Sequence, residues 1–313
     1  DKSKINIFPA ATLTKNVDGK QMTEFGLLKR KGIIAFTDGI KTVQDPQVMS
    51  RIMNFASQSE SLIIQHAEDN ILSKDGLINE GEISTRLGLK GIPFLAEKII
   101  VERDLSFLEE YFCRYHIAQI SSKKTLNVIK RAKKEGKIFT TGVSINNLSL
   151  NENDIGDFRT FLKLSPPLRT EEDRKALVES VNDGTIDVIV SDHKPEDEES
   201  KRLTFAKAAT GASGIETLLP LSLELFHNKS IKLNKLIAAI TCNPAKILGI
   251  KKGTLTKGHD ADLCVIDINK PWVVEKNKLK SKSKNTPIEN RKLQGQVLKT
   301  FIKGDLSYES GRA

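Results

Sequence analysis

Cysteine is scarce in this sequence. Cys113, Cys242 and Cys264 stand alone, odd in number and with no CxxC pair among them, which argues against a disulfide framework or a cysteine-built zinc site and fits buried free thiols in a reducing cytoplasm. Long apolar runs are missing too. Nothing approaches the roughly 18 residues of a membrane span, and the opening DKSKINIFPA lacks the charged start and apolar core of a secretory signal. The first residue is Asp rather than Met, so a further segment upstream is expected. Aromatic residues make up only 5% of the chain, and the lysines behind its net charge of +9 are scattered over polar helix faces, a pattern that argues against a nucleic-acid partner. The densest basic stretch, KNKLKSKSKN at 276–285, reads as a solvated loop, with an acidic partner as the alternative. Internal repeats, a phosphate-cradling GxxxxGK[ST] loop and a His-x-His pair are all absent.

What is present is an alternation of short apolar strands and longer amphipathic helices. Strands are predicted at 5–10, 32–38, 62–66, 114–120, 137–143 and 185–192, and helices at 46–57, 93–111, 122–135, 170–182 and 215–227. That order calls for a parallel sheet covered by helices. Six strand-helix units fall two short of a closed eight-stranded barrel, and the missing pair is expected upstream of Asp1. After a helical segment over 231–248, Gly-punctuated strands at 253–268 and 293–304 suggest a small β appendage. The expected organisation is a barrel domain lacking its first strands over 1–250, a β segment over 251–304 and a frayed tail over 305–313.

Chemistry is expected where strands end. The β-branched run Ile186–Val190 delivers Asp192 and His193, in the piece SDHKPE, to the C-terminal end of a strand, where α/β barrels keep their catalytic groups. Asp192 there reads as a proton shuttle or metal ligand, or as an ordinary loop starter.

Collinear pieces along nearly the whole chain, among them GIIAFTDG, IIQHAED, GIPFLAEKIIVERD, RYHIAQIS, SPPLRTEEDR, SDHKPE, TCNPAKILGI and KSKNTPIENRKLQGQV, resemble the class I dihydroorotases of the amidohydrolase superfamily. The resemblance implies a metal-centred (β/α)₈ TIM barrel with a small β-domain. It also implies reversible hydrolysis of the cyclic amide of dihydroorotate to carbamoyl aspartate in pyrimidine biosynthesis. Zinc serves that chemistry by lowering the pKa of bound water to about 7, and a strand-end Asp moves the proton.

Carried over position by position, the family pattern is only partly met. His66 matches a metal position, and Asp192 matches the shuttle and metal position. In Phe36-Thr37-Asp38-Gly39, Asp38 aligns with the first of two family aspartates and Gly39 with the second, the shared metal carboxylate; a one-residue slip would put Asp38 on the metal instead. Gln119 stands where a ligand histidine belongs. His116 cannot replace it, because a strand period of two turns His116 to the opposite face, and a neutral amide is a poor zinc ligand. Asn146 and Asn147 stand at two histidines. Ser165 replaces a substrate-contacting Asn, and His193 is kept. Glu196 replaces a histidine that would neutralise the substrate carboxylate, and adds a repelling charge there.

Two readings follow. In the leading one the chain is a non-catalytic dihydroorotase-like subunit that supports aspartate transcarbamoylase, with no cofactor or at most one zinc, and with homo-oligomers also possible. In the alternative it is an active cyclic amide hydrolase that combines an upstream His-x-His with His66 and Asp192; two zinc ions belong only to that reading.

Overall fold

The computed structural model describes residues 5–311. Its main sheet holds β1 (Ala10–Ala11), β2 (Ala35–Phe36) and β3 (Leu62–Gln65). A small parallel pair, β4 (Ile78–Asn79) with β5 (Gly91–Ile92), is inserted before β6 (Arg114–Ile117), β7 (Thr140–Ser144) and β8 (Val188–Val190) complete the main sheet. The six main strands lie side by side in chain order, every pairing parallel, with Leu62 opposite Arg114, His116 opposite Thr140 and Ser144 opposite Val190. Parallel order puts every strand's C-terminal end on one rim. Among the described residues β1 and β8 each have one neighbour in this sheet, so it is an open arc of barrel.

Helices form a row outside the strands. Pro46–Ser59 packs on β3 and on Phe94–Phe107, which meets Lys123–Lys134, which in turn meets Glu171–Asp183. Their starts are set by local chemistry. The Asp45 carboxylate accepts from the backbone of Gln47 and Val48 ahead of Pro46, and Thr170 and Asp173 cap the last helix reciprocally. Their inward faces supply the core, with Met49, Ile52, Ile100, Leu126, Ile129 and Leu177 buried against Ile63 and Ile117. Full burial of each such side chain stabilises the fold by about 1.5–3 kcal/mol. Phe25 stacks on Phe36 at 3.7 Å and closes the β2 end.

Several boundaries differ from the sequence expectation, each for a local reason. The run 5–10 pairs only at Ala10–Ala11, because Pro9 has no N–H to give the ladder. The helical segment 231–248 breaks at Thr241 into Leu233–Ile240 and Cys242–Leu248, since the ring of Pro244 would clash with the Ile240 carbonyl in one continuous helix. The appendage is an antiparallel sheet of β9 (Leu263–Val273), β10 (Lys292–Ile302) and β11 (Asp305–Glu309), ordered β11-β10-β9. β11 corrects the expected frayed tail. Thr300 faces Tyr308 and Ile302 faces Asp305, so 305–309 is paired strand, whereas 312–313, like 1–4, lie outside the described residues. No helix among the described residues is long and apolar enough to cross a membrane.

Candidate active site

Asp192 lies two residues past β8, its backbone in the left-handed region at φ 48°. Three neighbouring strands converge on its carboxylate. Gln119, two residues past β6, donates its amide to Oδ1 at 2.9 Å. Ser144, the last residue of β7, donates its hydroxyl to Oδ2 at 3.2 Å. Gly142 makes this approach possible. A Cβ there would stand 2.3 Å from the Ala118 carbonyl and 3.1 Å from His116 Nε2, so any side chain would push β6 and β7 apart just below Gln119. Burial raises the pKa of Asp192, and the bonds from Gln119 and Ser144, with the charges of His66 and Lys194, offset part of that rise.

His66 follows β3 directly. Its Nε2 lies 3.5 Å from Ser165 Oγ and 3.9 Å from Glu68 Oε2, and its carbonyl accepts from Thr42 Oγ1 at 2.6 Å. Burial pushes the Glu68 carboxyl up, but the hydrogen bond and charge of His66, together with the Ser73 hydrogen bond and the charge of Arg169, outweigh it and hold the group below its ordinary value. Asp38 is committed elsewhere. It accepts from the Thr14 backbone N–H at 3.0 Å and from the Thr14 hydroxyl, tying the loop after β1 to the end of β2. Gly39 beside it sits at φ +67°, a conformation glycine adopts without strain and an aspartate would not. Asp38 therefore serves the fold here through Thr14.

His116 lies in the wall. Its Nδ1 pairs with Thr140 Oγ1 at 2.8 Å, and burial, helped by the charge of Lys133 and opposed by Asp187, lowers its pKa to about 4. It is neutral at ordinary pH and does not reach Asp192.

Around the SDHKPE loop, the Gly214 N–H donates to His193 Nδ1 at 3.1 Å, which leaves the hydrogen of the neutral ring on Nε2. Glu196 lies 3.5 Å from Lys194 Nζ, so its charge is countered locally. Of the basic stretch 276–285, Lys276, Lys278, Lys280 and Lys282 are exposed, as expected of a solvated loop, but its end is anchored. Asn285 is buried; its Oδ1 accepts from Glu196 N at 3.3 Å and Ser213 Oγ at 3.0 Å, and its Nδ2 donates to the Gly211 carbonyl at 3.0 Å. Asn147 donates to the Pro167 carbonyl at 3.0 Å, while its Oδ1 and both amide atoms of the buried Asn146 find no partner.

A second polar cluster occupies the same rim. The buried Arg169 donates to Ser121 Oγ at 3.1 Å, to Asn79 Oδ1 at 2.8 Å and to the Ile92 carbonyl at 2.6 Å. Ser121 and Ser122 donate to Glu97, and Asn79 donates to Glu152 Oε2 at 2.6 Å. Burial pulls the Arg169 pKa down, against the charges of Glu97, Asp173, Glu68 and Glu152.

The sequence reading missed Ser144, Glu68 and Asn285. Ser144 and Asn285 lie within stretches it had quoted or aligned, but their roles depend on partners 48 and 89 residues away. The donor set does not fit a binuclear zinc centre. Asp38 is held by Thr14, Gly39 has no side chain, Gln119 presents an amide, and among the described residues no three His, Cys, Asp or Glu side chains gather as a metal would require. A cleft of about 480 Å³ opens beside Asp38, Thr42 and Glu68. A larger one, about 830 Å³, lies at the opposite end of the strands, by Leu62, Arg114 and Asp187.

The amidohydrolase family pattern matches residues 17–306. A dihydroorotase of Ehrlichia canis is 41% identical over 313 residues, covering 100% of this chain and 70% of that protein. A dihydroorotase of Syntrophus aciditrophicus is 43% identical over 305 residues, covering 97% and 72% respectively. Among solved structures, an L-hydantoinase (dihydropyrimidinase) from Arthrobacter aurescens shares the fold with a TM-score of 0.83 at 24% identity, over 96% of this chain and 69% of that one. Strand-end Asp192 and His66, the open parallel sheet with its β appendage, and these matches agree that the chain belongs to the class I dihydroorotases of the amidohydrolase superfamily.

Proposed function

We propose that this chain is a non-catalytic member of its family, a cytoplasmic structural subunit of pyrimidine biosynthesis that supports aspartate transcarbamoylase. The observation that carries the reading is Gln119, which stands where the family resemblance expects a ligand histidine and donates its amide to Asp192 Oδ1, while the Ser144 hydroxyl donates to Oδ2. Opening a cyclic amide at neutral pH needs an activated water, a fixed substrate and a free base. Gln119 supplies a donor where a ligand would be wanted, and Asp38 and Gly39 supply none. The partner is carried over from the family resemblance, in which inactive homologues accompany the transcarbamoylase; homo-oligomers are compatible with it.

One observation favours a second reading. Asp192 keeps its strand-end position with a raised pKa, within reach of the charge of His66, as a proton shuttle would require. Joined to a His-x-His outside this sequence, the pair would serve an active dihydroorotase with one zinc. The deciding experiment measures dihydroorotate turnover and zinc content on the full-length protein purified without chelator. The non-catalytic reading expects no turnover above background and well under two zinc ions per chain. Turnover that disappears in Asp192→Ala would overturn it.

A further inference from the structure

The larger of the two clefts, about 830 Å³, has no part in the mouth. Its floor includes the starts of three strands, Leu62 of β3, Arg114 of β6 and Thr140 of β7, so it opens at the end of the sheet remote from Asp192. Leu108, Phe139 and Ile247 give it apolar walls. Small-molecule sites have this size and this make-up, mostly apolar with a few polar groups. Two large apolar side chains also line it, Phe112 two residues before β6 and Ile138 two residues before β7, and each is 87% exposed. A single exposed apolar residue is ordinary, whereas a pair lining one cleft marks a place that binds something.

The charges around the cleft say what that is. Every acid in the lining is already matched: Glu109 lies 2.6 Å from Lys137, Glu135 lies 3.8 Å from Arg131 and 3.9 Å from Lys137, and Asp187 lies 3.0 Å from Lys133. Two cations of the lining, Arg114 and Lys246, meet no acid among the described residues. Arg114 gives Nη2 to the Ile247 carbonyl, and its Nε and Nη1 have no partner among those residues. That carbonyl belongs to the last turn of the helix Cys242–Leu248, and a helix end offsets at most about half an elementary charge. Roughly one and a half positive charges are thus left beside apolar walls.

We propose that this cleft binds a small carboxylate with an apolar body, the body against Phe112 and Ile138 and the carboxylate on Arg114 and Lys246. The planar guanidinium fork suits a carboxylate, and an ammonium beside it adds a second donor. A neutral ligand would leave both cations unmatched. A second copy would bring the same two cations to the interface, where like charges oppose association. The cleft lies apart from Asp192, so the inference stands under either reading of catalysis.

The test titrates naphthaleneacetate and octanoate, one planar body and one chain, into the full-length protein by calorimetry, each beside its neutral amide. At least one acid is expected to bind with a dissociation constant below about 1 mM, and at least about tenfold more tightly than its amide. Arg114→Gln with Lys246→Gln should weaken that acid at least about tenfold, and Phe112→Ser with Ile138→Ser by a similar factor. Lys246→Gln alone, whose ammonium has no bond to lose, answers the question by a loss of about threefold if the Arg114 variant fails to fold. Lys207→Gln with Lys257→Gln, two exposed lysines outside the cleft, removes the same charge and should change nothing. No binding of either acid, amides that bind as tightly as the acids, or an equal loss in the Lys207 control would overturn the proposal. Binding undiminished in the cleft variants would overturn it too. Sedimentation showing a dimer that Phe112→Ser with Ile138→Ser dissociates would assign the cleft to a second copy instead.

Discussion

Two clusters of buried polar groups share the C-terminal rim of the sheet and are completed to different degrees. Around Arg169 the guanidinium Nε and Nη1 both meet acceptors, and the negative charges of Glu97 and Glu152 reach the guanidinium through Ser121 and Asn79. At the neighbouring mouth, Asp192 is held by Gln119 and Ser144, but the amide of Asn146 and the oxygen of Asn147 have no partner. An unmade hydrogen bond on a buried group costs about 1–3 kcal/mol. The first cluster is explained by folding alone, because it ties β4, β5, the loop after β6 and the SPPLR loop into one body. The second carries groups that folding does not satisfy, where the family keeps its chemistry.

The largest effect separating the two regions is expected at Arg169. Arg169→Ala leaves the acids of its cluster without a cation and should lower the unfolding free energy by about 3–5 kcal/mol, read from urea denaturation; a loss under about 1 kcal/mol would mean that the cluster holds nothing together. At the mouth, Gln119→His restores an imidazole next to Asp192. Zinc affinity should rise at least about tenfold over wild type in a calorimetric titration, and no gain would show that His66 and Asp192 are not placed to share an ion. A smaller effect concerns pH. Because the Asp192 pKa is raised in the folded state, its stabilising contribution is fully present below the unfolded value of 3.8 and is lost as pH rises through the folded value. Melting curves of wild type should therefore fall relative to Asp192→Asn as pH climbs from 4 toward neutrality, by on the order of 2 °C, and parallel curves would refute the shift. Least change is expected in Asn146→Leu, which exchanges an unpartnered amide for an apolar group of similar size. Its stability should stay within about 1 kcal/mol of wild type or exceed it, whereas Asn79→Leu in the satisfied cluster should lose more; equal losses would erase the distinction between the regions.

Much of this was legible beforehand, and the limits have physical reasons. The helices Pro46–Ser59, Lys123–Lys134 and Glu171–Asp183 fall within two residues of expectation because caps such as Asp45, Ser122 and Thr170 mark them locally. The strand alternation that turns His116 away from Gln119 is likewise a local property, seen in the His116–Thr140 pair and the Gln119–Asp192 bond. β11 was missed because DLSYE is largely exposed and is held by pairing with β10 rather than by its own pattern. The two-residue strands β4 and β5 are too short to carry a period at all.

The sequence by itself determined the parallel α/β order, the family and the identities of the altered positions, because these reside in periodicity and in residue types along the chain. What each altered residue does was decided only by tertiary structure. Asp38 gains its structural role only when the fold brings Thr14, 24 residues away, onto its carboxylate. Glu196 looks like a repelling charge until Lys194 lies 3.5 Å from it. Gln119 looks like a simple loss until its amide closes on Asp192, 73 residues away. A hydrogen bond or ion pair depends on separations of a few ångströms between side chains, and the folding of strands into one rim sets those distances, not their spacing in sequence.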